Sequence, residues 1–315
     1  MFTLILPHFL RDADETLPAL HTPAFNQLLR FGHVHTNPHH KVSQLYQQYL
    51  NIPILPENQA FAIPIWQQMG MNNTQMLDSR SFTLPAEEAE ILCQDLNDFY
   101  GTDAQFHLHT PEIWQITLPE MDTWHIDPVF DVCGQTDGLL RSEQYSTKQW
   151  LKLNTEIQMF LHQHPINQSR STRGEVPVNG LWLWQHTLSR TQAFQTALIG
   201  SNSAWAQIGR LKHSDVPYDF VAWQSLCKEE QVDINQTTLL SEDFVASAHT
   251  GDVWSYAQQL HNWENHFFAP IADALFSGSL KGLNVICEHG KLTIPPKAQR
   301  AFWKRKKTFN GKSLN

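Results

Sequence analysis

The run from Phe2 to Leu6 is nearly all apolar and predicts a short buried strand. In LHTPAFNQLLRFG, Phe25, Leu28 and Leu29 fall on one face of a helix. Thr22 is placed to cap it, Pro23 suits its first turn, and Gly32 stops it. A strand followed by a helix is an α/β opening. SQLYQQYL (43–50) predicts a second, short helix, whereas 51–78 is rich in Pro and Asn and shows no clear period. LPAEEAEILCQDLNDFYG carries the clearest helix. Pro85 sits in its first turn, Glu87 and Glu88 favour the positive end of its dipole, and Gly101 lies beyond its end. Its buried face is Ala89, Leu92, Cys93, Leu96 and Phe99. AQFHLH and EIWQITL, joined through Thr110-Pro111, predict two strands. Residues 78–145 therefore read as a small inserted α+β unit rather than part of a βαβ series.

STKQWLKLNTEIQMFLHQH predicts a helix capped by Ser146 or Thr147 and ended by Pro165. Leu153, Ile157, Phe160 and Leu161 share one of its faces, and a polar, Arg-bearing loop follows it. GLWLW (180–184) is unbroken apolar sequence and predicts a central strand. SRTQAFQTALIGSN (189–202) and DVWSYAQQLHNWENHFFAPIADALFSG (252–278) predict helices. GLNVICEHGKLTI (282–294) predicts a hairpin with Gly290 at its turn. No repeat period is present.

Composition is that of a globular chain: 41% hydrophobic, 17% charged, with 11 Trp and 18 Phe to fill a large core. At 315 residues it is long enough for one large domain or two ordinary ones. The net charge of −9 is unevenly placed. From Lys291 onward there are eight Lys/Arg and no acid, so the rest holds 14 bases against 31 acids. An acidic body with a basic tail argues against a general nucleic-acid-binding surface on the body. The basic tail, residues 296–315, interleaves Phe302, Trp303 and Phe309 with Lys304, Arg305, Lys306 and Lys307. It could hold single-stranded nucleic acid by stacking and phosphate neutralisation, or its Trp303 could simply dock on the body. Cys93, Cys133, Cys227 and Cys287 form no CxxC pair, which excludes a zinc ribbon. No stretch is long and apolar enough to cross a bilayer, and MFTLILPHFLRDAD has no basic leader region. The expectation is a cytoplasmic protein without membrane contact.

Few motifs carry chemistry. His33, His35, His39 and His40 lie in HVHTNPHH, where His-x-His suits zinc or nickel, but no carboxylate or Cys is near in sequence and a polar loop is the favoured reading. Glu288-His289-Gly290 is a variant of the Asp-His-Gly that supplies metal ligands in many phosphatases and mutases, and a hairpin turn is again favoured. DVCGQTDG (131–138) reads as a turn. There is no G-x-S-x-G, P-loop or G-x-G-x-x-G. No cofactor and no metal site is assigned.

A resemblance enters at 154–184. There Asn154, Glu156, Gln158, Met159, Leu161, His162, His164, Pro165, Asn167, Arg170, Arg173, Gly174, Pro177, Asn179, Leu181, Trp182 and Trp184 follow a fixed order. That order resembles the signature of the bacterial RpfE-type regulatory protein family. The resemblance implies a phosphoglycerate-mutase-like protein with an alkaline-phosphatase-type central sheet flanked by helices. HTPAFNQLLRFG and VPVNGLWLW also resemble segments of that superfamily. This chain departs from the pattern at three places. The first strand ends in Leu6-Pro7-His8 where a metal-holding Asp-Gly is expected. Trp184 is followed by Gln185-His186-Thr187 rather than Gly-rich sequence, and QQMGMNNTQML (67–77) stands where an Asp-Pro-Val-His run is expected.

The resemblance and its departures together imply a degenerate member, one α/β domain over 1–315 without the two-metal centre, acting in regulation or interaction. Its candidate ligand-binding residues are Asn154, Gln158, His162, His164, Asn167, Arg170, Arg173 and Asn179. Arg170 and Arg173 would clamp a phosphate or carboxylate and Asn167 and Asn179 would donate to it. The partner would be a protein or a phosphorylated small molecule. The equally weighted alternative is that these side chains satisfy loop backbone. Two other functions stay open: a metal-dependent, cofactor-independent phosphoglycerate mutase or phosphohydrolase, and a nucleic-acid-associated protein acting through its tail.

Overall fold

The computed structural model describes residues 1–36, 41–69, 74–135, 147–185, 193–298 and 303–314. Its strands in chain order are β1 (Phe2–Ile5), β2 (His33–Thr36), β3 (Gln59–Met69), β4 (Thr74–Asp78), β5 (Gln105–Thr110) and β6 (Ile113–Thr117). They continue with β7 (Gly180–Trp184), β8 (Leu198–Ser201), β9 (His213–Ser214), β10 (Thr237–Leu240), β11 (Leu283–Cys287) and β12 (Gly290–Ile294). The chain divides into two compact units, Met1–Ile52 with Gln192–Asn315, and Pro53–Thr191. The α/β architecture is present as a mixed central sheet with flanking helices, and residues 78–145 fall inside the second unit.

In the first unit seven strands run in the order β2-β12-β11-β1-β10-β8-β9. β1 is parallel to both neighbours, β10 and β11, and β8 is parallel to β10. Strands buried on both faces need side chains that lose nothing by leaving water. Phe2, Leu4, Ile5, Leu198, Ile199, Leu239 and Leu240 are all buried accordingly. Gly200 has a specific reason. A Cβ there would lie 2.3 Å from Leu239 Cδ2 and 3.0 Å from the Trp223 ring, which the helix Phe220–Glu229 presses onto the sheet. Residues 189–202 are thus not one helix: 189–192 lie outside the described residues, and Leu198–Ser201 is β8. A four-residue apolar run does not distinguish the two states by periodicity.

The 283–294 hairpin forms as expected, with Cys287 opposite Gly290. A Cβ on Gly290 would come 2.6 Å from the His35 carbonyl oxygen, which explains the glycine. His33 and His35 belong to β2, paired with β12, rather than to a loop, while His39 and His40 lie outside the described residues. The tail is tied to the core. Phe309 is 2% exposed, stacks on Phe9 at 5.1 Å and meets Phe25 edge-on at 4.8 Å. Its N–H donates to Asn26, and Gly311 accepts from the Arg11 N–H. Docking falls to Phe309 and Leu314, whereas Trp303 stays 72% exposed.

The helix Pro23–Phe31 is capped from afar. Thr22 makes no side-chain cap; instead buried Glu264 accepts the N–H groups of Ala24 and Phe25. Glu264 opens a π-helical turn, Glu264–Phe268, between the helices Val253–Trp263 and Ala269–Ser277.

In the second unit β3 has β6 and then β4 along one edge and β7 along the other, and β5 pairs with β6. The stretch 51–78 without clear period therefore holds two strands. GLWLW is β7, antiparallel to β3 in this smaller sheet and not a strand of the seven-stranded one. It is apolar throughout because both faces are covered. Trp150, on the helix Lys148–Gln163, packs edge-on against Trp182 at 5.6 Å and donates its indole N–H to the Leu183 carbonyl, while Trp184 lies against Phe61. Thr147 caps that helix. The expected Arg-bearing loop after it is a second helix, Pro165–Thr172. In the helix Ala86–Tyr100, Ala89, Leu92, Cys93 and Leu96 are buried as expected, but Phe99 is 56% exposed. Its ring lies 5.1 Å from that of Phe160 on the neighbouring helix.

Burial pushes the Glu264 carboxyl above its ordinary 4.5, outweighing the two N–H groups that favour its charge. A carboxyl raised in the fold contributes stability that is full below its unfolded value and lost as pH rises through its folded value. Relative to Glu264→Gln, the wild type should lose stability as pH rises above the ordinary carboxyl value of 4.5, read as urea midpoints. A gap that is independent of pH contradicts this.

Candidate functional site

The strip 154–179 is built from the helix Lys148–Gln163, the helix Pro165–Thr172 and the entry to β7. Asn167 is buried at their junction. Its carboxamide nitrogen donates to the carbonyls of Leu161 (2.8 Å) and Val178 (2.6 Å), and its oxygen accepts the Val178 N–H (2.8 Å). Asn179 repeats the device with the backbone N–H (2.8 Å) and carbonyl (2.7 Å) of Gln67, continuing the β3–β7 ladder with a side chain. His164 caps the second helix through Nδ1, which accepts the Ile166 N–H. That role leaves Nε2 to carry the proton toward Asp95, 2.9 Å away.

Arg170 is 2% exposed. Its Nε donates to the Val176 carbonyl, one terminal nitrogen to the Thr83 carbonyl, and the other to Glu88. Arg173 is half exposed and pairs with Glu88 (2.7 Å) and Glu175 (2.8 Å). Hydrogen bonding to Glu175, then to Glu88, holds its guanidinium above the ordinary range, and the bond to Arg173 holds Glu175 below the usual carboxylate range. Two acids thus occupy the fork geometry that a phosphate would take. Of the remaining three, Asn154 is buried with its side-chain oxygen lacking a partner, Gln158 lies beside Gly180, and His162 is exposed.

A second location follows from topology. Open α/β sheets bind ligands beyond the carboxyl ends of their parallel strands. In the first unit those ends bring together His8 after β1, Ser203 after β8, Glu242 and Asp243 after β10, and Glu288 after β11. Glu288 is 4% exposed; it accepts the His8 N–H at 3.1 Å, and His8 Nδ1 lies 3.9 Å from its other oxygen. His8 adopts a left-handed conformation (φ 57°) that a non-glycine residue holds only at a cost, and its ring meets that of buried His249 at 5.4 Å. Glu242 accepts the Tyr46 hydroxyl (2.6 Å) and the Ser203 hydroxyl (3.0 Å), and Asp243 accepts the Trp263 indole N–H (2.7 Å). Burial pushes the neighbouring Cys287 thiol up to about 12, which favours its protonated form.

Sequence reasoning singled out His8 and Glu288 but missed Tyr46, Ser203, Glu242, Asp243 and His249. The available signal was TTLLSED (237–243), a short strand running into a polar turn, obscured because its first two residues are Thr. Among the described residues no three His, Cys, Asp or Glu side chains gather in a set that could hold a metal ion. Among the described residues no helix is long and apolar enough to cross a membrane.

Among solved structures the chain is similar to the cofactor-independent phosphoglycerate mutase from Thermoplasma acidophilum DSM 1728. The match has 14% identity over 93% of this chain and 89% of that one, with a TM-score of 0.38. It is also similar to the PH0037 protein from Pyrococcus horikoshii, at 12% identity over 94% of this chain and 87% of that one, with a TM-score of 0.48. At such scores neither likeness places a residue of this chain. No family model matches the chain, and no curated protein matches it.

Removing the Arg170 guanidinium would take the donor from the Val176 and Thr83 carbonyls and leave Glu88 only its Arg173 partner, so Arg170→Leu should cost about 3 kcal/mol of stability. Arg173→Ala, at the solvent-facing end of the same network, should leave the urea midpoint near wild type. Equal effects of the two substitutions would contradict this division.

Proposed function

We propose that the chain is a degenerate phosphoglycerate-mutase-like protein of the RpfE type, with an alkaline-phosphatase-type sheet, acting in regulation or interaction without a two-metal centre. The observation that carries the reading is the end of β1. A two-metal site polarises phosphoryl oxygens and activates a nucleophile, and it needs a carboxylate to bridge its ions. Leu6-Pro7-His8 offers an imidazole instead, and the His8 backbone N–H already holds Glu288. Glu242 is likewise held by two hydroxyl donors and Asp243 by an indole. These residues do not fit a pair of metal ions.

Within the strip, His162 and Arg173 keep exposed polar atoms and are the groups a protein partner or a phosphorylated small molecule would meet. Asn167, Asn179 and Arg170 serve the scaffold that presents them. The tail reading is less favoured, because Phe309 and Leu314 anchor that segment in the core.

The purified chain should show no manganese- or zinc-dependent phosphatase or mutase turnover, measured beside metal analysis of the same preparation. Metal-dependent turnover that falls in Glu288→Gln or Asp243→Asn would replace this reading with the enzyme one.

A further inference from the structure

The start of the strip, from Glu156 to Pro165, also lines an apolar groove in the second unit. The groove has a volume of about 420 Å³ and lies between the C-terminal turn of the helix Ala86–Tyr100 and the last turns of the helix Lys148–Gln163. Phe99, Met159, Phe160, His164, Pro165 and Glu156 line it. Met159 is 63% exposed and Phe99 56%, and the rings of Phe99 and Phe160 sit 5.1 Å apart, presenting a continuous apolar floor. Large exposed apolar side chains grouped in one concave place mark an interaction surface more often than scattered ones do.

The charge around the groove states what fits. Residues 81–140 hold 12 Asp/Glu and no Lys or Arg, and the unit as a whole has 17 acids against seven bases. Asp95, Asp98 and Glu156 stand at the groove or one residue from it; the base beside it is Lys152, 3.8 Å from Glu156. An occupant therefore needs an apolar or aromatic anchor flanked by positive charge.

This chain supplies such a segment in its other unit. Trp303 is 72% exposed and is followed by Lys304, Arg305, Lys306 and Lys307. Lys304 is held by the Phe31 carbonyl and by Arg30, and Phe309 is fixed in the core, so the strip is presented on a firm base. Arg305 and Lys306 face solvent. A pre-ordered anchor loses little freedom on binding.

We propose that the groove receives the Trp303–Lys307 strip of a second copy of this chain, through an indole seated on Phe99, Met159 and Phe160 and bases facing Asp95, Asp98 and Glu156. The contact joins two different surfaces, so copies assemble as a reciprocal pair or as a head-to-tail ring. It is independent of whether the sheet edge of the first unit performs chemistry.

Sedimentation velocity of the full chain across a concentration series tests it. The expected result is a species of at least twice the 36.3 kDa chain mass that dissociates on dilution and weakens at high salt. Met159→Glu and Trp303→Ala, both at exposed positions, should each weaken association by about tenfold or more while leaving circular dichroism and the thermal midpoint unchanged. Mixing the two variants should restore one intact contact and with it part of the association. A single 36.3 kDa species at every concentration overturns the proposal and leaves the groove to a different basic partner. Association that ignores both substitutions overturns it equally.

Discussion

The parallel pairing of β1 between β10 and β11 is the constraint on which the first unit depends. Thr3, Leu4 and Ile5 sit level with Thr238, Leu239 and Leu240 on one side and with Asn284, Val285 and Ile286 on the other. Chain segments more than two hundred residues apart are thereby locked into one plane. Parallel strands in that position must be apolar on both faces, and the helices that cover them must approach closely, as Trp223 does over Gly200. The same pairing brings the polar residues just past each strand end to a common edge. Whatever the edge does, its carboxylates are held there by the chain's own donors: backbone N–H for Glu288, hydroxyls for Glu242, an indole for Asp243.

The second unit shows the same economy with polar groups. Asn167 and Asn179 each substitute for a backbone neighbour, and the buried Arg170 spends its guanidinium on two carbonyls and the Glu88 carboxylate. A polar side chain inside a fold is tolerable only when each of its atoms finds a partner. Residue types that suggest ligand binding in a sequence are the same types that close such accounts. In the strip between Asn154 and Asn179, Asn167, Asn179 and Arg170 bond mainly to the chain's own backbone.

The elements legible in the sequence were those with long periodic faces or clear punctuation. The helices Ala86–Tyr100 and Lys148–Gln163 and the hairpin from Leu283 to Ile294 are examples. What was not legible depended on partners far along the chain. β7 reads as a central strand because it is wholly apolar, yet it lies in the smaller sheet, where Trp150 packs on Trp182 and the cross-strand neighbour Phe61 lies against Trp184. β8 is too short to show a period. The cap of the helix Pro23–Phe31 comes from Glu264, about 240 residues away, and nothing local to Thr22 announces it. The edge residues Glu242 and Asp243 became visible only once β10 was placed beside β1.

The proposal without a two-metal centre rests on the internal donors that the carboxylates at this edge already hold. A protein that binds an ion in its folded state gains stability as RT ln(1 + [M]/Kd), about 2.7 kcal/mol at a hundredfold excess over Kd. The most direct measurement is the thermal midpoint of the intact chain titrated with manganese and with zinc. The expected midpoint does not rise with either ion. A saturable rise that disappears in Glu288→Gln would contradict it.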